Sequence, residues 1–184
     1  MDAFVPSDMG FPYGYCPSPL LLNDGHRTFA HAERVAGLDP PPGGTDLPGS
    51  YGGRRPSRSS RSAAVGDFDG DGRLDLVVNY FIDAPFLYVN RSPPRHGVEL
   101  RLVGVTSNHD AIGALVPLKA GGRALVRQMP AAGGYLAQSS RTLHFGLGDA
   151  STIDACEIFW PSGRVQSLPA LPVDALTVVR ELAP

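Results

Sequence analysis

The chain has 184 residues, 42% of them hydrophobic, so it can bury the core of one medium domain or two small ones. Its 22 Gly and 18 Pro residues predict a turn-rich β protein and fall short of the share typical of disordered chains. A formal net charge of -2 excludes a general attraction to nucleic acid or anionic membranes, and no apolar run approaches the roughly 18 residues of a membrane span.

The two cysteines, Cys16 and Cys156, lie far apart in the sequence. A single pair is not a disulfide-dense scaffold, and it allows one bridge without implying it. The first residues also lack the basic region and long apolar core of a secretion signal. Whether the two thiols pair is therefore left open by the sequence.

The N-terminal part of the chain predicts a hairpin followed by a long loop. An apolar run at 20–22, the turn Asn23-Asp24-Gly25 and the β-prone pair Thr28-Phe29 indicate the hairpin. Residues 30–38 are compatible with a short helix, and residues 39–62, rich in Pro, Gly, Ser and Arg, predict a loop. The basic cluster of this loop consists of Arg54, Arg55, Arg58 and Arg61. We expect it to be solvated rather than to bind nucleic acid or an acidic glycan, because no interleaved aromatic residues offer stacking surfaces.

The most informative stretch is Asp67-Phe68-Asp69-Gly70-Asp71-Gly72-Arg73-Leu74-Asp75, which we name the acidic loop. Carboxylates at alternate positions, with glycine to relieve the bend, can surround one hard cation if the backbone curls tightly. The spacing predicts a calcium site. Its ligands would be the carboxylates of Asp67, Asp69, Asp71 and Asp75 and the backbone carbonyl of Arg73, with water completing the shell. The alternative is an Asp/Gly-rich turn that binds nothing, which the mutual repulsion of the carboxylates disfavours.

The acidic loop is not an EF-hand. Position twelve of the loop is Val78 instead of a bidentate Glu, and it lies in the branched run Leu76-Val77-Val78, which favours a strand. Beyond a Pro-rich boundary at 91–96 the chain predicts closely spaced strands separated by turns, as in an antiparallel sandwich or barrel. The predicted strands from the loop onward are 74–80, 86–90, 98–105, 114–119, 123–129, 142–145, 154–160, 165–168 and 176–182.

Two family resemblances cover nearly the whole chain. The run from Ala64 to Val78, with Gly66-Asp67-Phe68-Asp69-Gly70-Asp71-Gly72 at its centre, resembles the calcium loop of FG-GAP/VCBS repeats, the blades of β-propellers. Asp2-Ala3-Phe4-Val5 resembles the tail of an earlier loop of this kind. The second resemblance is to the ASPIC/UnbV domain. It rests on Ser107-Asn108-His109-Asp110-Ala111-Ile112-Gly113-Ala114, Gly134-Tyr135-Leu136-Ala137-Gln138-Ser139, His144-Phe145-Gly146-Leu147-Gly148 and Trp160-Pro161-Ser162-Gly163.

These resemblances imply an all-β chain with partial FG-GAP/VCBS propeller blades in residues 1–94, followed by an antiparallel β-sandwich-like ASPIC/UnbV domain in residues 97–184. A propeller needs at least four blades, so we expect the chain to be the C-terminal piece of a larger protein. Unpaired blade edges then favour self-association. Members of the family are mostly secreted or exposed at the cell surface, which implies an extracellular location.

The sequence offers no clear catalytic constellation. His144 lies downstream of Ser139 and Ser140, but no Gly-x-Ser-x-Gly elbow accompanies them, and a hydrogen-bonded structural histidine is favoured. The loop residues Asn108, His109 and Asp110 could bind a ligand, although a self-satisfied Asx turn is favoured. For Trp160, packing in the core or at its rim is favoured over a sugar-stacking platform.

From the sequence we therefore expect a noncatalytic calcium-binding module of an extracellular adhesion or ligand-binding protein. The alternative is a glycan-active enzyme or its carbohydrate-binding domain, with a cleft near Asn108, His109, Asp110 and Trp160. In either case the expected partner is a protein or glycan ligand.

Overall fold

A computed structural model describes residues 2–6, 18–38, 60–80 and 83–183, and all regular structure in them is β. This part of the chain accordingly contains no helix with the length and hydropathy needed to traverse a membrane. The all-β class is confirmed. The strands are β1 Ala3–Phe4, β2 Leu20–Asn23, β3 Phe29–His31, β4 Ser60–Gly66, β5 Asp75–Tyr80, β6 Phe86–Tyr88, β7 His96–Val103, β8 Leu115–Ala120, β9 Arg123–Gln128, β10 Thr142–Gly148, β11 Ala155–Phe159, β12 Val165–Leu168 and β13 Leu176–Arg180.

The predicted N-terminal hairpin is confirmed. Strands β2 and β3 pair antiparallel, with Asn23 opposite Phe29, and β1 adds to the other edge of β2. The turn between them is closed by the carboxylate of Asp24, which accepts hydrogen bonds from the backbone N–H groups of His26 (2.7 Å) and Thr28 (3.2 Å). This is the local side-chain capping that makes Asx residues strong turn formers.

The short helix expected at 30–38 is not formed. Ala30 and His31 are taken into β3, where they pair with β2, so too few residues remain for a helix. After β3 the chain makes a hydrogen-bonded turn, in which Leu38 N–H donates to the carbonyl of Glu33 at 2.8 Å. The loop expected at 39–62 ends in strand β4, which contains Arg61. Arg54, Arg55 and Arg58 lie outside the described residues.

Strands β4, β5 and β6 form a three-stranded sheet in that order, and the acidic loop connects β4 to β5. Val78 and Tyr80 of β5 are buried. The Tyr80 ring meets Phe86 edge to face at 5.3 Å, and its hydroxyl lies 2.9 Å from that of Tyr88. A tight aromatic cluster therefore fixes one end of this sheet.

The chain divides into two compact units. The first runs to Val65 and includes Asp75–Val89 and Gly134–Gln138, and the second contains Gly66–Leu74, Asn90–Gly133 and the chain from Ser139 onward. Most of the acidic loop therefore belongs to the second unit. The division into domains at 1–94 and 97–184 stays a prediction.

The second unit is a sandwich of two sheets, with strand orders β10-β7-β13 and β12-β11-β8-β9. Side chains alternate along the strands: on β7, Val98, Leu100 and Leu102 are buried while Arg101 is exposed. The inward-facing residues of both sheets form one core that includes Phe145, Ile158 and Trp160. Pairing is antiparallel except for β13, which joins β7 in parallel. Residues 169–175 make this possible by returning the chain to the end of the sheet where β7 begins.

We expect Phe145 to dominate the stability of this core, because its ring is fully buried. Phe145→Ala should reduce the free energy of unfolding by about 3–5 kcal/mol, measured by urea denaturation. The matched control is Phe159→Ala on β11, where the ring is 41% exposed, and it should cost less than about 1.5 kcal/mol. Equal costs for the two variants would contradict the assignment of the core.

Candidate functional site

The acidic loop folds around the carboxylate of Asp67. Its Oδ1 accepts hydrogen bonds from the N–H groups of Gly70 (2.8 Å) and Asp71 (3.2 Å), and its Oδ2 accepts one from Gly72 N–H at 2.8 Å. Gly70 and Gly72 have φ angles of 76° and 82°, which L side chains rarely adopt. The alternation of Asp and Gly is therefore what allows the backbone to curl.

This curl brings three of the four predicted carboxylates together. One oxygen from each of Asp67, Asp69 and Asp71 lies within 4.8 Å of the others. A calcium ion holds its oxygen ligands at about 2.3–2.6 Å, so ligands of one ion are at most about 5 Å apart. The three carboxylates are thus close enough together to hold one metal ion. Asp75, the fourth, is outside this group and is buried at the start of β5.

Two arginines lie against the carboxylate cluster. Arg73 donates to Asp71 Oδ2 from Nε at 2.9 Å and also from its terminal nitrogen Nη2. Arg91 Nη1 lies 3.1 Å from Asp69 Oδ2. The Arg73 hydrogen bond holds the pKa of Asp71 below its ordinary value. Sequence reasoning considered only the carbonyl of Arg73 and missed Arg91, because no local signal shows that a residue 22 positions after Asp69 returns to it.

The acidic loop is tied to the sandwich by two further contacts. Arg73 Nη1 donates to the carbonyl of Ser92 at 2.7 Å, and His144 Nε2 donates to the carbonyl of Gly72 at 2.8 Å. His144 lies on β10 with its side chain on the face opposite the core, since Leu143 and Phe145 beside it are buried. It is hydrogen-bonded as expected for a structural histidine.

A cleft of about 770 Å³ lies between the acidic loop and the outer face of the β10-β7-β13 sheet, entirely within the second unit. On its floor, Glu99 of β7 stands opposite His144 of β10. Burial raises the pKa of Glu99; His144 partly offsets this, and the charge of Asp67 adds to it. The carboxylates lining the cleft are Asp67, Asp71, Glu99, Asp149 and Asp174. The cleft is therefore acidic.

The polar cluster at Asn108 is a self-satisfied turn, as predicted. The Asn108 amide donates to the carbonyl of Ile112 at 2.9 Å and accepts from Ile112 N–H at 2.8 Å. Asp110 is held by Arg141 Nη1 at 3.2 Å. A Cβ on Gly104 would lie 2.1 Å from the carbonyl oxygen of Asn108, so only glycine permits this close approach.

Trp160 packs in the core. It is 3% exposed, and its Nε1–H donates to Gln166 Oε1 at 3.0 Å. A buried indole presents no open face to a sugar ring, so the sugar-stacking platform is wrong.

Cys156 of β11 is also buried, and burial raises the pKa of its thiol to about 11, which makes it a poor nucleophile. Cys16 lies outside the described residues.

The carboxylate of Glu181 connects two motifs of the ASPIC/UnbV resemblance, the one that contains Ser107 and the one that contains Ser162. The sequence did not mark Glu181 as a residue with a role. Its Oε2 accepts hydrogen bonds from the N–H groups of Val105 (2.8 Å), Thr106 (2.8 Å) and Ser107 (2.7 Å), and its Oε1 accepts from the hydroxyls of Ser107 (2.9 Å) and Ser162 (2.5 Å). Glu181 is 2% exposed. Ser107 and Ser162 therefore have a structural role, which their separation from Glu181 in sequence concealed.

Comparison with known families agrees with this architecture. Residues 60–80, which span β4, the acidic loop and β5, match the FG-GAP repeat, and residues 104–183 match the family described as ASPIC and UnbV. No curated protein matches the chain. The predicted succession of the two sequence families is confirmed.

We expect Glu181 to make stability acid-sensitive. Desolvation alone would raise its pKa, but the bonds from Ser162, Ser107 and Val105 outweigh it and lower the pKa to about 2. Because this lies below the ordinary value of 4.5, its contribution is complete above about pH 4.5 and is lost as pH falls toward 2. Glu181→Gln should therefore be destabilising at neutral pH, and the gap to wild type should shrink in acid.

The measurement is the free energy of unfolding in urea, compared between the two proteins across this pH range. Glu157→Gln, an exposed glutamate of β11, is the matched control and should follow wild type. A gap between Glu181→Gln and wild type that stays constant with pH would contradict the assigned role.

Proposed function

Since the chain carries an FG-GAP repeat followed by an ASPIC/UnbV domain, we propose that it is a noncatalytic calcium-binding module of an extracellular adhesion or ligand-binding protein of the propeller type. The observation that carries the proposal is the convergence of Asp67, Asp69 and Asp71 within 4.8 Å. The backbone carbonyl of Arg73 would add a protein ligand, whereas Asp75 lies outside the cluster and would join the shell only if the loop tightened around the ion; water would supply the rest of the six to eight oxygens that calcium takes.

The role proposed for calcium is structural. Three carboxylates this close repel one another, and a divalent ion would remove that repulsion, so its binding free energy would add to the stability of the folded loop. The bonds of the loop to Ser92 and His144 extend this effect to the sandwich of the second unit. Calcium would therefore stiffen one wall of the cleft.

The charge balance supports an extracellular setting. The guanidinium groups of Arg73 and Arg91 offset two of the three negative charges, so a calcium ion gains less electrostatic energy here than at bare carboxylates. Weak sites, with dissociation constants of about 10⁻⁴ to 10⁻³ M, are typical of extracellular modules, where calcium is abundant.

Self-association through unpaired blade edges is also part of the proposal, because the unpaired backbone groups of an exposed edge strand can pair with another chain.

We expect calorimetry to show one calcium site per chain, abolished in the double variant Asp69→Ala and Asp71→Ala. The reason is that two of the three clustered carboxylates are removed while Asp67, which caps the loop backbone, is kept. The matched control removes two exposed carboxylates elsewhere, Asp154→Ala with Glu157→Ala, and should bind calcium as wild type does. Unchanged binding in the first double variant would refute the site.

We also expect Arg91→Gln to bind calcium more tightly, by a factor of about 1.4 to 5, because an exposed ion pair of the kind Arg91 makes with Asp69 is worth about 0.2–1 kcal/mol. Arg95→Gln is the matched control, since Arg95 pairs with Asp149 and not with the cluster, and its affinity should stay at the wild-type value. Calorimetry at low ionic strength measures both. A weaker site in Arg91→Gln would argue against direct competition between Arg91 and the ion.

A further inference from the structure

The cleft of the second unit holds a carboxylate, Glu99, that makes no direct hydrogen bond or ion pair with the described residues, although His144 stands opposite it on β10 and favours its charged form. Glu99 is half-buried on the cleft floor, and no hydrogen bond or ion pair satisfies it there. Its strand neighbours Val98 and Leu100 point into the core, so Glu99 faces the cleft. A half-buried carboxylate in this position is costly unless a partner arrives.

Each of the other carboxylates of the cleft makes a hydrogen bond or an ion pair with a described residue. Asp174 accepts from Gly97 N–H at 3.0 Å and pairs with His96 Nδ1 at 2.7 Å. Asp149 pairs with Arg95 at the exposed rim. Asp67 is bonded by the loop backbone and Asp71 by Arg73. Among the carboxylates that line the cleft, Glu99 therefore differs from the others in having no directly bonded partner among the described residues.

The surroundings of Glu99 are partly apolar. Leu176 of β13 stands directly opposite it across the sheet and is 54% exposed, and Leu74 and Pro94 also line the cleft. A carboxylate flanked by aliphatic surface suits a ligand that combines a positive charge with a hydrocarbon stem. A bare metal ion suits it poorly, because a hard cation needs several oxygen ligands and Glu99 lies outside the carboxylate cluster of the acidic loop.

We propose that the cleft binds an organic monocation, an ammonium or guanidinium group on an alkyl stem, with Glu99 as its ion-pair partner and Leu176 against the stem. This proposal does not depend on calcium in the acidic loop, because it uses a different carboxylate. It is therefore tested in calcium-free buffer.

The experiment is an NMR titration of the full chain with n-butylguanidinium, following backbone amide shifts. Saturable shifts are expected at Gly97, Val98 and Leu176, which line the cleft. N-butylurea, a neutral molecule of similar shape, should bind at least about tenfold more weakly, as should n-butylguanidinium to Glu99→Gln, because each change removes one partner of the charge pair. Glu157→Gln on the other sheet is the matched control and should keep the wild-type affinity.

Three results would overturn the proposal: equal binding of the urea, unchanged affinity in Glu99→Gln, or shifts that do not saturate and spread over the surface. If Glu99→Gln does not fold, the comparison of n-butylguanidinium with n-butylurea on the wild-type protein still tests whether the cleft selects a positive charge.

A short peptide with one internal arginine then distinguishes the source of the cation. Tighter binding of the peptide than of n-butylguanidinium indicates a partner protein, and weaker binding indicates a free small molecule; both support the proposed chemistry.

Discussion

Repulsion between carboxylates is the constraint on which the rest of the structure depends. Three of them lie within 4.8 Å in the acidic loop. At about 4 Å, two like charges repel by about 1 kcal/mol in water and by about 4 kcal/mol at the effective dielectric of a protein surface. Backbone N–H groups cap Asp67, and the arginines at positions 73 and 91 offset part of the remaining charge. The proposed cation completes a neutralisation that the protein has begun with its own side chains.

The negative charge of the buried Glu181 carboxylate is stabilised in a different way. There a single buried carboxylate accepts hydrogen bonds from five donors and forms no ion pair with the described residues, which is sufficient because no second carboxylate crowds it. In the acidic loop the carboxylates are crowded and partly exposed, so dipoles alone are insufficient and charged partners are required. The contrast explains why one acidic centre is a structural clamp and the other a candidate ion site.

Local pattern predicted much of the fold. The strand at 165–168 was placed with its observed bounds, and strands β5 to β13 appear within a few residues of their predicted positions, because alternation and turn residues are encoded locally. The loop curl was predictable for the same reason. The features that the pattern did not reveal depend on distant partners: the parallel pairing of β13, the approach of Arg91 to Asp69, and the contacts of Glu181. Strand β4 was missed because its sequence, Ser60-Arg61-Ser62-Ala63-Ala64-Val65-Gly66, contains a single bulky β-prone side chain, that of Val65.

The pairing of β13 with β7 has a consequence for how the chain is made. Leu176 meets Glu99, and the carboxylate at 181 meets the backbone at 105–107, so both contacts join segments more than seventy residues apart. On the ribosome, the edge of β7 stays unpaired until the residues around 180 have emerged. Completion of the sandwich is then a late event in biosynthesis, and the nascent sheet is open to pairing with other nascent chains until that moment.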